Sequence, residues 1–323
     1  MSAKVLHARF LALPQTVIGA WWMILAACLL GTLSILVRNI STDLHPFEIA
    51  FFRNIAQLLL MLPWVIAAGV SVMRTQRTWA HVRRSTFGIA AMLTWFSVLT
   101  MMPIAEATAI SFSAPLFTTA GAALFLGEQV GARRWVATVF GFVGVLLIIR
   151  PGVQEVGVPH LLALLAAAFI AGSMLSNKSL ARTESPNSMV VWMGVYMSLF
   201  SLPPAILVWS WPEGDMWGWL LAMGLVATVA HLAINRAFRA ADASFIAPFG
   251  FVQIPFIAGV GFIAYSEVPD VWTWIGSTVI IASGIYIARR EAKRSKAVAA
   301  PPVPGITIVA VEGIAESGKQ PKM

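Results

Sequence analysis

Charged residues are placed in this chain of 323 residues so that ten long stretches contain none. The first five are Phe10–Val37, Asn54–Met73, Ser85–Ala105, Ala107–Gly127 and Trp135–Ile149. The next five are Val156–Asn177, Ser185–Pro212, Met216–Asn235, Ala243–Ser266 and Val271–Ala288. A helix needs roughly 20 mostly apolar residues to cross a bilayer, and only Trp135–Ile149 falls well short. Gly131 and Ala132 can extend that stretch while Arg133 and Arg134 snorkel to the interface. Barrel strands would alternate apolar with polar residues, whereas Leu161–Ile170 and Val279–Ile287 are apolar on every side. The predicted fold is therefore an all-α polytopic membrane protein with ten transmembrane helices. Charged residues make up 11% of the chain, against about 25% in soluble domains, which is too few to cover a water-facing surface. Soluble enzymes, disordered chains and disulfide scaffolds are excluded on that ground.

Positive charge collects in cytoplasmic loops. With the N-terminus inside and ten alternating spans, all of the 22 basic residues except Arg38, Arg53 and Arg150 fall on the inner side. The sequence thus predicts a multi-pass protein of the bacterial inner membrane with both termini cytoplasmic. The net charge of +8 is spread over short segments facing anionic lipid, with no basic, aromatic-lined groove, so no nucleic-acid partner is expected. Leu25-Ala26-Ala27-Cys28 has the form of a lipoprotein cleavage site. The apolar run continues past it to Val37, and Cys28 reads as an ordinary helix residue. Cys28 is the single cysteine, and His7, His45, His81, His160 and His231 are isolated in sequence. No metal site and no cofactor are expected.

The chain also repeats. Ala105-Glu106-Ala107-Thr108 opens span four, Pro115 lies within it, Gly127-Glu128 closes it, and Trp135 and Gly144 follow in span five. Ala241-Asp242-Ala243-Ser244, Pro255, Ser266-Glu267, Trp274 and Gly284 follow the same order in the second half. An odd number of spans per half inverts the second copy, a construction typical of secondary transporters. The predicted organisation is a cytoplasmic N-terminus (1–16), a first five-helix repeat (17–150), a linker (151–159), a second repeat (160–290) and a disordered cytoplasmic tail (291–323).

The run Pro103–Pro151, with Ala-Glu-Ala-Thr, Ser113-Ala114-Pro115-Leu116, Leu126-Gly127-Glu128 and Gly144-Val145, resembles the EamA domain of the drug/metabolite transporter superfamily. Ala241–Arg290 resembles it again, with Ser266 where a glycine usually precedes the glutamate. Phe51-Phe52-Arg53-Asn54 also resembles the family pattern, and the likeness covers about residues 17 to 290. The resemblance implies two inverted five-helix repeats around a central cavity and export or uptake of small metabolites.

Polar groups inside lipid are costly and usually face a cavity or a partner. Arg53 is the one permanent charge deep in a span. It is either an anchor for a substrate carboxylate or phosphate, or a structural residue paired with Glu48 or another acid, with Asn54 and Gln57 near enough to satisfy its donors. His231 and Asn235 share a face of span eight, as a substrate or proton site or as a neutral structural pair. Trp95 in span three can stack on an aromatic or cationic substrate, or simply pack. Ser113 beside Pro115 and Gln253 beside Pro255 complete the predicted substrate-binding set, and the two prolines are the predicted hinges or static kinks. The expected function is alternating-access transport of a small polar metabolite, most simply an amino acid or related compound moving outward. An intramembrane enzyme, a channel-like facilitator, and a nucleotide-like or drug-like cationic substrate are the alternatives. A proton or counter-substrate is an admissible coupling partner, as are monomer and homodimer.

Overall fold

The computed structural model describes residues 14–125, 131–152, 155–180, 183–240 and 249–299. Among these every helix or strand assigned is a helix. The first half contains α1 (Gln15–Ile40), α2 (Pro46–Ala68), α3 (Thr78–Leu99), α4 (Ile104–Ser111), α5 (Ala114–Phe125) and α6 (Ala132–Ile149). The second contains α7 (Val158–Leu180), α8 (Pro186–Ile206), α9 (Met216–Ala240), α10 (Gln253–Tyr265) and α11 (Val271–Ala299). Five helical stretches, Gln15–Ile40, Pro46–Ala68, Val158–Asn177, Asn187–Ile206 and Met216–Phe238, are long and apolar enough to cross a membrane. Trp135–Ile149, Gln253–Tyr265 and Val271–Ile287 are apolar but shorter.

The helix starts follow local chemistry. His45 and Glu48 form a capping box at α2, with His45 Nδ1 accepting from Phe47 N at 3.2 Å and Glu48 Oε2 accepting from His45 N at 3.0 Å. Pro46 occupies the first turn, where its missing N–H is not needed. Ser185 Oγ accepts from Ser188 N at α8 (3.1 Å). Asp270 accepts from Thr273 N and Oγ1, both at 2.7 Å, at α11, satisfying donors that a helix start leaves unpaired.

Three boundaries differ from the sequence expectation. Span four is two helices, α4 and α5, interrupted at Phe112 and Ser113, and the stretch before α10 turns at Phe251 and Val252. Pro115 and Pro255 therefore lie in the first turn of the second segment rather than in a helix interior, because that is where proline removes no backbone bond. The basic cluster placed in a disordered tail continues α11 as far as Ala299. Residues 291–299 contain no glycine or proline, and basic residues suit a helix C-terminus.

The packing is symmetric on exchange of the halves. The most extensive contacts are α1 on α9 and its counterpart α7 on α3, with α6 on α11 and α2 on α8 each mapping to itself. Small residues let these helices approach. A Cβ on Gly224 of α9 would lie 2.4 Å from Ala56 Cβ on α2, and one on Gly88, at the matching place on α3, would lie 3.5 Å from Met197 Sδ on α8. Two pairs of corresponding helices, α6 with α11 and α2 with α8, run antiparallel. Gly144 late in α6 meets Gly276 early in α11, while Ala137 early in α6 shares a cluster with Ile287 late in α11. Likewise Met61 and Val65 late in α2 pack on Val190 and Val191 early in α8. The largest apolar cluster draws Val37, Ile49, Leu99, Ile104, Met223 and Ile257 from α1, α2, α3, α4, α9 and α10, so the core lies between the halves.

Asp270 lies in the segment between α10 and α11 and also pairs with Arg150 at the end of α6. Burial alone would raise its carboxyl pKa. The Thr273 hydroxyl and backbone N–H bonds, then Arg150, outweigh that and hold it below the ordinary carboxylate value. A depressed acid pKa stabilises the fold above the unfolded-state value and loses that contribution as pH falls through the folded one. Melting of the Asp270→Asn variant should therefore fall below the parent at neutral pH and converge with it only under acid conditions. A constant difference down to strongly acid pH would refute this assignment.

Candidate functional site

The buried face of α2 carries Glu48, Arg53, Asn54 and Gln57 among apolar residues. Arg53 is 1% exposed. Its Nη1 donates to Asn54 Oδ1 at 2.7 Å and lies 3.8 Å from Met92 Sδ on α3. Its Nη2 lies 3.3 Å from His231 Nε2 on α9. A guanidinium has no acceptor, so this contact is a hydrogen bond only if Nε2 accepts, which puts the imidazole proton on Nδ1 and leaves the ring neutral. Asn54 reaches Met197 O at 3.4 Å and Ser201 Oγ at 3.5 Å on α8. Four helices from both halves thus meet around the adjacent Arg53 and Asn54 side chains, α3 and α9 at the guanidinium and α8 at the amide.

Glu48 does not neutralise it. The glutamate caps α2 and holds Ser210, accepting from its backbone N–H and from its hydroxyl at 3.0 Å and 3.2 Å. Among the described residues no carboxylate lies within ion-pair distance of Arg53. The expectation that Gln57 satisfies its donors is also corrected. Gln57, 1% exposed, has no partner at Oε1 or Nε2, and Arg53 Nε has none. A buried polar group without a partner costs free energy, and a buried unpaired charge costs more. Such costs are tolerated where a ligand repays them.

The other predicted residues divide into two places. Trp95 is half-buried, one turn along α3 from Met92, and packs against both main apolar clusters. Asn235, also half-buried, is one turn along α9 from His231. Ser113 and Gln253 belong instead to the two helix interruptions, whose Phe112 and Phe251 rings meet at 5.0 Å between centroids. Ser113 is fully buried with its hydroxyl unbonded. By contrast, the Ser111, Thr118 and Thr119 hydroxyls bond their own helix carbonyls at 2.8–3.0 Å. The contacts that Met92 and Ser201 make with Arg53 and Asn54 were not assigned from sequence. The four-residue spacing of Arg53 and Gln57 hints only that those two share a face of α2.

The EamA-like transporter family model matches residues 17–150 and again 158–289. The chain belongs to this family. It is 31% identical over 285 residues to a riboflavin transporter of Rhizobium johnstonii, covering 87% of this chain and 94% of that one. Identity is also 31% over 282 residues to an S-adenosylmethionine uptake transporter of Rickettsia felis, covering 87% and 96%. A pseudopaline exporter of Pseudomonas aeruginosa is 28% identical over 282 residues, covering 84% and 96%. A crystal structure described only as that of a protein aligns with a TM-score of 0.59 at 20% identity, over 87% of this chain and 98% of its own, a likeness of fold. This EamA-family chain is a multi-pass membrane transporter and not an enzyme, so the intramembrane-enzyme alternative falls.

Proposed function

We propose that the chain carries a small carboxylate-bearing metabolite, an amino acid or a compound built on one, by alternating access across the inner membrane. In this reading ten spans form two inverted repeats, both termini are cytoplasmic, and the central path lies between the halves. The observation that carries the proposal is the buried Arg53 guanidinium without a counter-ion, one turn from an unpartnered Gln57 amide. Together they offer a carboxylate a charge-assisted bond and a neutral donor in a dry site, where such bonds are strong. His231 orients the guanidinium, and the interruptions at Ser113 and Phe251, followed by Pro115 and Pro255, let α4, α5 and α10 move as short segments.

S-adenosylmethionine, the solute in one relative's name, carries an amino-acid carboxylate and so fits this chemistry. A second reading rests on Trp95. A half-buried indole on the face of α3 that also carries Met92 suits a flat heteroaromatic solute such as riboflavin, named for another relative. The relatives' names divide between uptake and export. An uncoupled alternating-access carrier runs both ways, and outward flow follows when the solute is more concentrated inside.

Purified protein in liposomes preloaded with unlabelled S-adenosylmethionine should accumulate the labelled compound by counterflow, saturably. An excess of an amino acid should compete, and its decarboxylated amine should not. Equal competition by the amine would overturn the carboxylate assignment, and competition by riboflavin alone would favour the second reading.

A further inference from the structure

The segment joining α10 to α11 belongs to the second half, yet Glu267 and Asp270 within it both pair with arginines of the first. Glu267 divides its two oxygens between two helices. Oε1 pairs with Arg38 Nη2 at the end of α1 at 2.6 Å, and Oε2 accepts from Ile104 N, the first residue of α4, at 3.2 Å. That amide is one that a helix start leaves without an internal partner, where a carboxylate is favoured. Around this centre Tyr265 OH bonds Asn39 Oδ1 at 2.6 Å, and Arg38 lies 4.5 Å over the Tyr265 ring. Asp270 pairs with Arg150, and Glu106 lies 3.3 Å from His160. Every one of these links joins one half to the other, and all fall at the same end of the bundle.

We infer that Glu267 is the gating residue of this mouth, clipping α1 and α4 to the α10–α11 segment and leaving both partners each time the path opens at that end. The inference rests on the transport reading above. Three features suit a moving part rather than a static weld. The pair is partly exposed, at 26% and 20% of its side-chain surface, so water can replace each bond. The bonds are polar and directional, so the closed position is defined while its opening exposes little apolar surface. Ser266, just before Glu267, has φ 56° in the left-handed region, so the chain turns sharply out of α10 into the clip.

The test places cysteines at Arg38 and Glu267 in a Cys28→Ser background and joins them with a short bifunctional thiol reagent. Cross-linking should slow labelled S-adenosylmethionine or riboflavin counterflow by roughly tenfold or more, as for a step that every cycle must pass. Cleaving the link should restore it. Verified cross-linking with undiminished counterflow overturns the inference. If the parent protein, with Arg38 and Glu267 intact, moves neither solute, the substrate reading fails, and hydrogen exchange then judges the gate without any solute. In the Glu267→Gln variant the Ile104 amide and residues 35–39 should exchange faster than in the parent, while residues 190–197 of α8 stay protected. Unchanged exchange at Ile104 overturns the gate.

Discussion

Arg53→Met should abolish transport and at the same time make the protein harder to unfold. The two effects have one cause. Arg53 is 1% exposed with no carboxylate within reach among the described residues, so the folded state bears the cost of keeping a charge out of water. Replacing even a paired set of buried charges with apolar side chains of similar volume is often neutral or stabilising by about 1–4 kcal/mol, and here no counter-ion among the described residues is left stranded. The gain here is trimmed by the Asn54 and His231 bonds that the substitution breaks. Removing one partner of a buried charge pair costs about 2–5 kcal/mol of binding, which weakens carboxylate binding by roughly thirtyfold to several thousandfold. Melting temperature in detergent and counterflow in liposomes measure the two effects separately. A lower melting temperature together with retained transport would show that the guanidinium is structural. Gln57→Leu should behave in the same sense with a smaller loss, since no charge is removed.

The second large effect is on the fold alone. Gly276→Val should strongly destabilise the protein, because a Cβ at that position would sit 2.5 Å from Gly144 O and 2.5 Å from Ile148 Cγ1. Neither can yield cheaply, since one is backbone and the other belongs to a residue buried at 1% exposure. Overpacking of this kind costs about 1–3 kcal/mol, and it is greater when a backbone must shift. The matching change on the other helix, Gly144→Val, should cost as much, as its Cβ would meet Gly276 O at 2.8 Å. Gly259→Ala is the control, with nothing within 4 Å of the added carbon. Thermal unfolding of the three variants decides the matter. A Gly276→Val protein that melts with the parent would mean that α6 and α11 do not pack at these glycines.

Much of this architecture was legible in the order of residues. A bilayer demands unbroken apolar length, so the rarity of charge marks the helices before any contact is known, and the family match over both halves accords with the repeat. The interruption of span four was only half legible. Pro115 signals that something changes, but the break falls at Phe112 and Ser113 because proline is best placed in the first turn that follows. The Arg53 site was legible as a residue and not as an environment. The sequence offered Glu48 as one candidate counter-ion, yet the capping box at His45 and the α8–α9 connection at Ser210 hold that carboxylate elsewhere.

Sequence alone therefore determined the solvent, the helical class, the duplication and the identity of the buried cation, Arg53. Each of these follows from composition and spacing along one chain, where hydrophobic length and periodicity act locally. Tertiary structure decided what the cation meets. His231 is 178 positions away from Arg53 and Ser201 is 147 from Asn54, and such pairings depend on how antiparallel helices from the two halves cross. It also decided that Glu267 spans to Arg38 and Ile104. Ion pairs of this kind carry no local periodicity, and only the folded arrangement sets which charges come within a few ångströms.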